Sequence, residues 1–258
     1  MYDQAGRFIS IEKPPRRIVC LVPSLTELLV DLNLKDLLTG VTKFCVHPQN
    51  IRQEKKIVGG TKSIHLDKIK SLNPDFILCN KEENTPEIVE ACAQIAPVYV
   101  SDINCFRDFY NFLIDLGAVF NIEEKTTLLI RDIKMKRNEF RSKANSFPER
   151  KVAYLIWKNP LMAAGCATFI NNLLSELNLK NVFEDEEDRY PQIENSQLNT
   201  ADLVFLSSEP FPFKEEHCKE FQQYTQAKVK CVDGEYFSWY GSRLLKAFDY
   251  FEKLLESL

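Results

Sequence analysis

Apolar residues along the chain fall into two alternating kinds of run. One kind is short and almost continuously apolar: Ile18–Val22, Leu38–Thr42, Asp75–Cys79, Pro97–Val100, Lys151–Trp157, Leu203–Ser207 and Lys228–Val232. Rich in β-branched residues and bounded by turn residues, these runs predict strands buried on both faces. The other kind repeats every three to four residues and predicts amphipathic helices. It occurs at Leu25–Leu34, His65–Leu72, after Thr85-Pro86, at Phe106–Leu116, Thr168–Leu179 and Lys214–Tyr224, and at the C-terminus. Ser24 with Glu27 reads as a capping box, Thr85-Pro86 as an N-cap and first helical residue, and Gly117 as a helix stop.

The longest periodic stretch is Ile122–Asn145, which contains neither Gly nor Pro. Ile122, Leu129, Ile133, Phe140 and Ala144 fall on one face, while seven Lys/Arg and four Asp/Glu cover much of the rest. It predicts one helix of more than six turns near the middle of the chain. The segments beside it start alike, with an Arg-led strand, a loop and a helix at residues 16–34 and again at 150–179. DFILC with the loop NKEENTPE also parallels LVFLS with the loop SEPFPFKEE. Strands alternating with helices imply mostly parallel sheets covered on both sides. The predicted fold class is therefore α/β: two Rossmann-like lobes, residues 1–121 and 147–258, bridged by a long helix over 122–146. A ligand cleft between the lobes is expected, since ligands in such sheets sit at the carboxyl ends of the strands.

Composition narrows the function. Net charge is −4 with a pI near 5.6, and no basic stripe is interleaved with aromatics, so no nucleic-acid partner is expected. No apolar run approaches the roughly 20 residues of a membrane span, so no membrane insertion is expected. The first residues, Met1–Arg7, lack the layout of a signal peptide. The eight cysteines form no C-x-x-C pair. Scattered thiols in apolar runs favour a reducing cytoplasm, with a periplasmic location if the chain is a trimmed mature form. His47, His65 and His217 form no metal-binding pattern; Cys45 with His47 could ligate one ion, but a turn residue beside a packed thiol is the simpler reading. No nucleotide-binding or nucleophile motif is present, and Glu82-Glu83 and Glu215-Glu216 read as solvated helix starts, so neither catalytic residues nor an enzyme is expected.

Seven segments, RIVCLVPSLTELL at 17–29, KFCVHP at 43–48, VGGTKSIHLDKIKSLNPDFIL at 58–78, NKEEN at 80–84, RYPQI at 189–193, LSSEPFPF at 206–213 and DGEYFSWYGSR at 233–243, together resemble the class III substrate-binding proteins of ABC importers. This helical-backbone metal-receptor group binds cobalamin and iron–siderophores, and the chain looks most similar to its cobalamin-binding branch. The resemblance covers nearly the whole chain. It implies a non-enzymatic transport protein with no permanently bound cofactor, whose ligand is cobalamin or another metal chelate such as an iron–siderophore or haem. An ABC permease is the implied partner, and a monomer is expected.

Carried over residue by residue, the resemblance puts Phe44, Tyr190, Glu235 and Tyr236 in ligand-facing loops. The loops at the strand ends add His47, Thr61, Lys62, Lys81, Glu82, Trp157, Glu209, Trp239 and Arg243 as ligand-binding candidates. His47 could also ligate a metal already held in a macrocycle. Thr61 stands where the branch places a tryptophan, and Asn80 where an aromatic is expected. Asp67 matches the acid that docks the first lobe on the permease; in the second lobe the position is Ser196, with Glu194 close by. An alternative on the same scaffold is a cytoplasmic cofactor-handling enzyme or chaperone in which Lys62, Lys81, Glu82 and Arg243 orient a substrate.

Overall fold

The strands that the apolar runs predict assemble into two sheets, in a computed structural model that describes residues 1–258. The first sheet is wholly parallel, in the order β3-β2-β1-β4-β5. Its strands are β1 (Ile18–Cys20), β2 (Leu38–Val41), β3 (Lys56–Ile57), β4 (Phe76–Asn80) and β5 (Val98–Ser101). The second runs β10-β9-β6-β7, built from β6 (Arg150–Trp157), β7 (Met162–Ala163), β9 (Leu203–Ser207) and β10 (Lys228–Val232). β8 (Leu179–Asn181) pairs in parallel with β6, and β7 is the one antiparallel strand.

By its internal contacts the chain forms two compact α/β units. Unit 1 comprises Met1–Ile103, Arg107–Arg131 and Gly241–Arg243; unit 2 comprises Asn104–Phe106, Asp132–Tyr240 and Leu244–Leu258. Around the first sheet stand α1 (Pro23–Asp31), α2 (Ile51–Glu54), α3 (Leu66–Ser71), α4 (Pro86–Ala93) and most of α5 (Phe106–Phe120). One part of its core packs Val19, Leu21, Ile77, Cys79, Val98 and Val100 of the strands against Val58, Ile69, Val89 and Cys92. Around the second stand α7 (Phe169–Glu176), α8 (Glu215–Phe221), α9 (Gly234–Ser238) and α10 (Leu244–Glu256). Their packing is strongly aromatic: Phe237 meets Tyr154 and Phe251 at centroid distances of 5.0 and 4.7 Å, and Phe106 lies near Phe169 and Phe248.

The long helix is continuous as α6 (Glu123–Ala144), with Glu123–Arg131 belonging to unit 1 and the rest to unit 2. Ile133, Phe140 and Ala144 are buried as predicted, and Phe140 packs on Phe248 and Phe251. Arg137 makes two hydrogen bonds to the buried Glu176 and lies 4.2 Å from the centre of the Phe106 ring.

Two local expectations fail for instructive reasons. Gly117 does not stop its helix. A Cβ there would stand 2.6 Å from Thr126 Oγ1, so this glycine serves the close packing of α5 on the start of α6. α5 runs on to Phe120, and Asn121, at φ 54°, follows it in the left-handed conformation. Nor is Ser24-Glu27 a capping box. The N-cap is Val22, both residues are buried inside the helix, and Glu27 is engaged by Arg243.

Candidate binding loops

At the carboxyl end of the first sheet, the chain after β2 turns sharply around Thr42. Cys45 N–H donates to the Thr42 carbonyl, and Phe44 N–H donates to its hydroxyl. The Cys45 thiol lies inward, 3.2 and 3.3 Å from the hydroxyls of Thr26 and Thr42, and burial pushes its pKa up. It is a packed thiol, as the simpler reading held. The same turn lifts Phe44 outward, half exposed, with the Lys43 ammonium 5.0 Å from its ring centre. His47, partly buried, follows on this loop.

The Gly59-Gly60-Thr61-Lys62 loop supports that turn. Gly59 has φ +128°, and a Cβ there would lie 2.5 Å from the Ser63 carbonyl oxygen. A Cβ on Gly60 would meet the Phe44 ring at 3.1 Å, so the missing side chain leaves room for the aromatic. Lys43 N–H donates to Gly59 O at 2.8 Å, fastening the two loops together.

Asn80 and Asn84 brace the third loop from beneath. Asn80, 1% exposed, accepts from the N–H groups of Glu82 and Glu83 and donates to Ser101. Asn84 accepts from Asn80 N–H and donates to Thr61 O at 2.9 Å. At Asn80 the chain thus carries a structural amide where an aromatic was expected. Thr61 is also buried, and the neighbouring Glu83 has its pKa raised chiefly by burial. Lys62 Nζ donates to Glu82 O, and Lys81 pairs with Asp102 at 2.6 Å.

Arg243 is engaged by a carboxylate of unit 1. Although it comes late in the chain, it belongs to unit 1. Its Nε and Nη2 donate to the two carboxylate oxygens of Glu27 at 2.8 and 3.0 Å, both side chains being nearly buried. Of the four residues in the enzyme alternative, Arg243 is thus engaged by Glu27.

In unit 2 the strand-end loops present a second aromatic surface. Trp157, 38% exposed, donates its indole N–H to Asn159 O and meets Phe211 edge to face at 5.7 Å. Phe211 N–H is tied to Ile156 O, which seats the β9–α8 loop beside the end of β6. Glu209 accepts from the indole of the buried Trp239 at 2.9 Å. Gly234 allows α9 to start against that loop, since a Cβ would meet Ser207 Oγ at 2.4 Å and Glu209 N at 2.9 Å. Glu235 and Tyr236 follow on α9, with Tyr236 stacked on Tyr250 at 4.7 Å. Tyr190 lies partly buried on a loop whose neighbours Arg189 and Pro191 accept backbone hydrogen bonds from Gly165 and Ala163.

Trp157, Glu209, Trp239, Glu235 and Tyr236 thus belong to adjoining loops of unit 2, and Phe44, Lys62, Lys81 and Glu82 to adjoining loops of unit 1. Phe211 and Lys43 lie on strand-end loops that the sequence marks as aromatic-rich and lysine-flanked, but neither stands among the individual ligand-binding candidates. The alternating aromatics of SEPFPF and the cation next to Phe44 were the available signals. Asp67 and Glu194 are both exposed, each at the start of a short helical turn that precedes a central strand of its own sheet, β4 and β9 respectively.

Each of the two α/β units displays an anchored aromatic at its strand ends. The periplasmic binding protein family matches residues 18–230, and the chain belongs to that family. Among its relatives, an uncharacterized ABC transporter substrate-binding lipoprotein of Bacillus subtilis, YvrC, is 27% identical over 193 residues, covering 71% of this chain and 60% of that protein. This chain thus spans less than two thirds of that relative's length. The vitamin B12-binding protein of Pectobacterium carotovorum is 24% identical over 237 residues, covering 90% of this chain and 86% of its own. The structure of the periplasmic vitamin B12-binding protein BtuF of Vibrio cholerae superimposes with a TM-score of 0.80 at 20% identity, covering 95% and 99% of the two chains.

These matches overturn the expectation of a cytoplasmic location and point to an extracytoplasmic one. Scattered thiols do not mark a reducing compartment here, for a physical reason. Cys20, Cys45, Cys79 and Cys92 are buried away from any exposed sulfur, and a thiol so placed is protected by packing whatever the redox state of its compartment. No helix is long and apolar enough to cross a membrane.

Proposed function

We propose that the chain is the substrate-binding protein of an ABC importer and that its ligand is a corrinoid or a related metal chelate. The observation that carries this reading is the anchored, exposed aromatic at the strand ends of each unit: Phe44 held by the Thr42 turn, and Trp157 held by Asn159 and Phe211. Flat apolar surfaces fixed by backbone contacts suit a large planar ligand, because little side-chain entropy is lost on binding. His47, Lys62, Lys81, Glu82, Tyr190, Glu209, Glu235 and Tyr236 would supply polar and aromatic groups from these and other strand-end segments. Asp67 and Glu194, exposed at matching places in the two units, would meet basic groups of the permease.

The test is a titration of the purified chain with cyanocobalamin, cobinamide and haem, followed by absorbance and calorimetry. Micromolar or tighter binding of one of them is expected, weakened about five- to thirtyfold in Phe44→Ala, as roughly 1–2 kcal/mol of lost ring contact implies. Binding of none below high micromolar concentrations would refute the proposal. Lys43 beside Phe44 favours a second reading within the same class, a chelate with anionic edge groups such as haem. Haem binding that falls with rising salt, with no binding of either corrinoid, would select it.

A further inference from the structure

One pair of sulfurs stands apart from the packed thiols. Cys218, on α8, and Cys231, on β10, have their Sγ atoms 2.7 Å apart. The two side chains therefore face each other in direct contact across the packing of α8 on β10, close enough for a bond to join them. Glu215, in the first turn of α8, brings a carboxylate oxygen within 4.8 Å of both sulfurs. Three such groups could hold a metal ion, but two thiolates on a tetrahedral zinc at about 2.3 Å would stand about 3.8 Å from each other. A metal would also require both thiols to ionise. Burial, reinforced by Cys218 and Glu215, pushes the Cys231 pKa up to about 12, so its thiolate is a minor species, which disfavours a permanent metal bond and makes exchange slow without preventing it.

We propose that Cys218 and Cys231 form a redox-active pair that closes to an intrachain disulfide, stapling α8 to β10. The oxidant is a disulfide of the thiol–disulfide exchange class, which an oxidising extracytoplasmic compartment supplies. One cysteine, as thiolate, attacks a sulfur of that disulfide, forming a mixed disulfide and expelling the first thiolate. The second cysteine attacks its bonded partner and expels the other. Two electrons pass from the cysteine pair to the oxidant, and the two protons end on the released thiols. Access selects this pair over Cys79 and Cys92, which interact but are both fully buried, whereas Cys231 is partly exposed.

The staple has a place in the binding machinery. α8 follows the loop that carries Glu209 and Phe211, and β10 leads directly into Asp233 and α9. Closing the bond fixes one end of each loop to the other, and opening it leaves them joined only by packing.

The test uses the full chain, purified under reductant and then equilibrated with oxidised glutathione. Thiol counting after denaturation should show two fewer than the eight free thiols of the reduced chain, and peptide mapping should show a single 218–231 crosslink. The Tm should fall on the order of 5 °C or more when dithiothreitol is added. The Cys218→Ala/Cys231→Ala chain should show neither the thiol loss nor that dithiothreitol response. Eight thiols remaining in the wild type, a crosslink between other cysteines, or a zinc ion that copurifies with this pair and blocks its oxidation would each overturn the proposal. None of these readouts involves a corrinoid, so failure here would leave the proposed ligand standing, and the reverse holds equally.

Discussion

Replacing Glu27 with Ala tests the reading of the deepest ion pair in unit 1. The Glu27 and Arg243 side chains are about one-tenth exposed, and two hydrogen bonds of 2.8 and 3.0 Å join them. Removing the carboxylate leaves the Arg243 charge in a site that water scarcely reaches. Breaking such a pair from one side costs about 3–5 kcal/mol, because the remaining charge keeps its desolvation penalty and loses its partner. At about 2–4 °C per kcal/mol for a chain of this size, the Tm should fall by about 6–20 °C. The assay is thermal unfolding followed by circular dichroism, with a urea titration for the free energy. The double variant Glu27→Met/Arg243→Met supplies the control. With both charges replaced by apolar chains of similar length, most of the loss should be recovered. A single-variant loss below about 1 kcal/mol would refute the argument, as would a double variant no more stable than the single one.

Four further outcomes follow from the loops and caps. Gly59→Ala should cost at least about 1–3 kcal/mol, since it combines φ +128° with a 2.5 Å backbone clash, whereas Gly60→Ala should barely change the Tm yet weaken ligand binding by displacing Phe44; equal stability losses would refute the distinction. Glu83→Gln bears on pH. A carboxylate whose folded pKa is raised by burial contributes its full stability below the unfolded pKa near 4.3 and loses it as pH rises through the folded value, so the variant should be stabilised at pH 7–8 and unchanged at pH 4; a lower Tm at pH 7 would contradict this. Thr168→Ala should cost about 1–2 kcal/mol, because its hydroxyl accepts from Asn171 N–H at 3.0 Å and donates to Gly165 O. Thr85→Ala, whose cap bond is a long 3.4 Å, should cost about 0.5 kcal/mol, and the reverse order in urea melts would count against the cap geometry.

The legible parts of the fold are those where one pattern dominates. Leu203–Ser207 and Lys228–Val232 are strands to the residue, and α6 lies within one residue of its predicted ends. Strands β3, β7 and β8, of two or three residues, are too short to carry a period. α9 hides in a loop-like sequence because Asp233-Gly234 reads as a turn, although Asp233 caps the helix by accepting from Glu235 N–H. In the candidate site, Phe44 could be placed from its position after a strand. Thr61, Asn80 and Arg243 could not. Whether a polar residue at a strand end faces solvent or braces a neighbouring loop depends on partners 20 to more than 200 positions away, such as Ser101 for Asn80 and Glu27 for Arg243.

The three-residue stretch Gly241–Arg243 also bears on how this family can be recombined. It is the only part of unit 1 drawn from beyond residue 131, and it supplies both Arg243 to Glu27 and Ser242 to Asp31. A chimera that joins the first half of this chain to the second half of a relative inherits a foreign residue opposite a buried carboxylate. Grafts that carry the tripeptide along, or exchange Glu27 with it, keep the charges matched. The natural seams for shuffling therefore run around this insertion rather than through a single cut near the middle of the sequence.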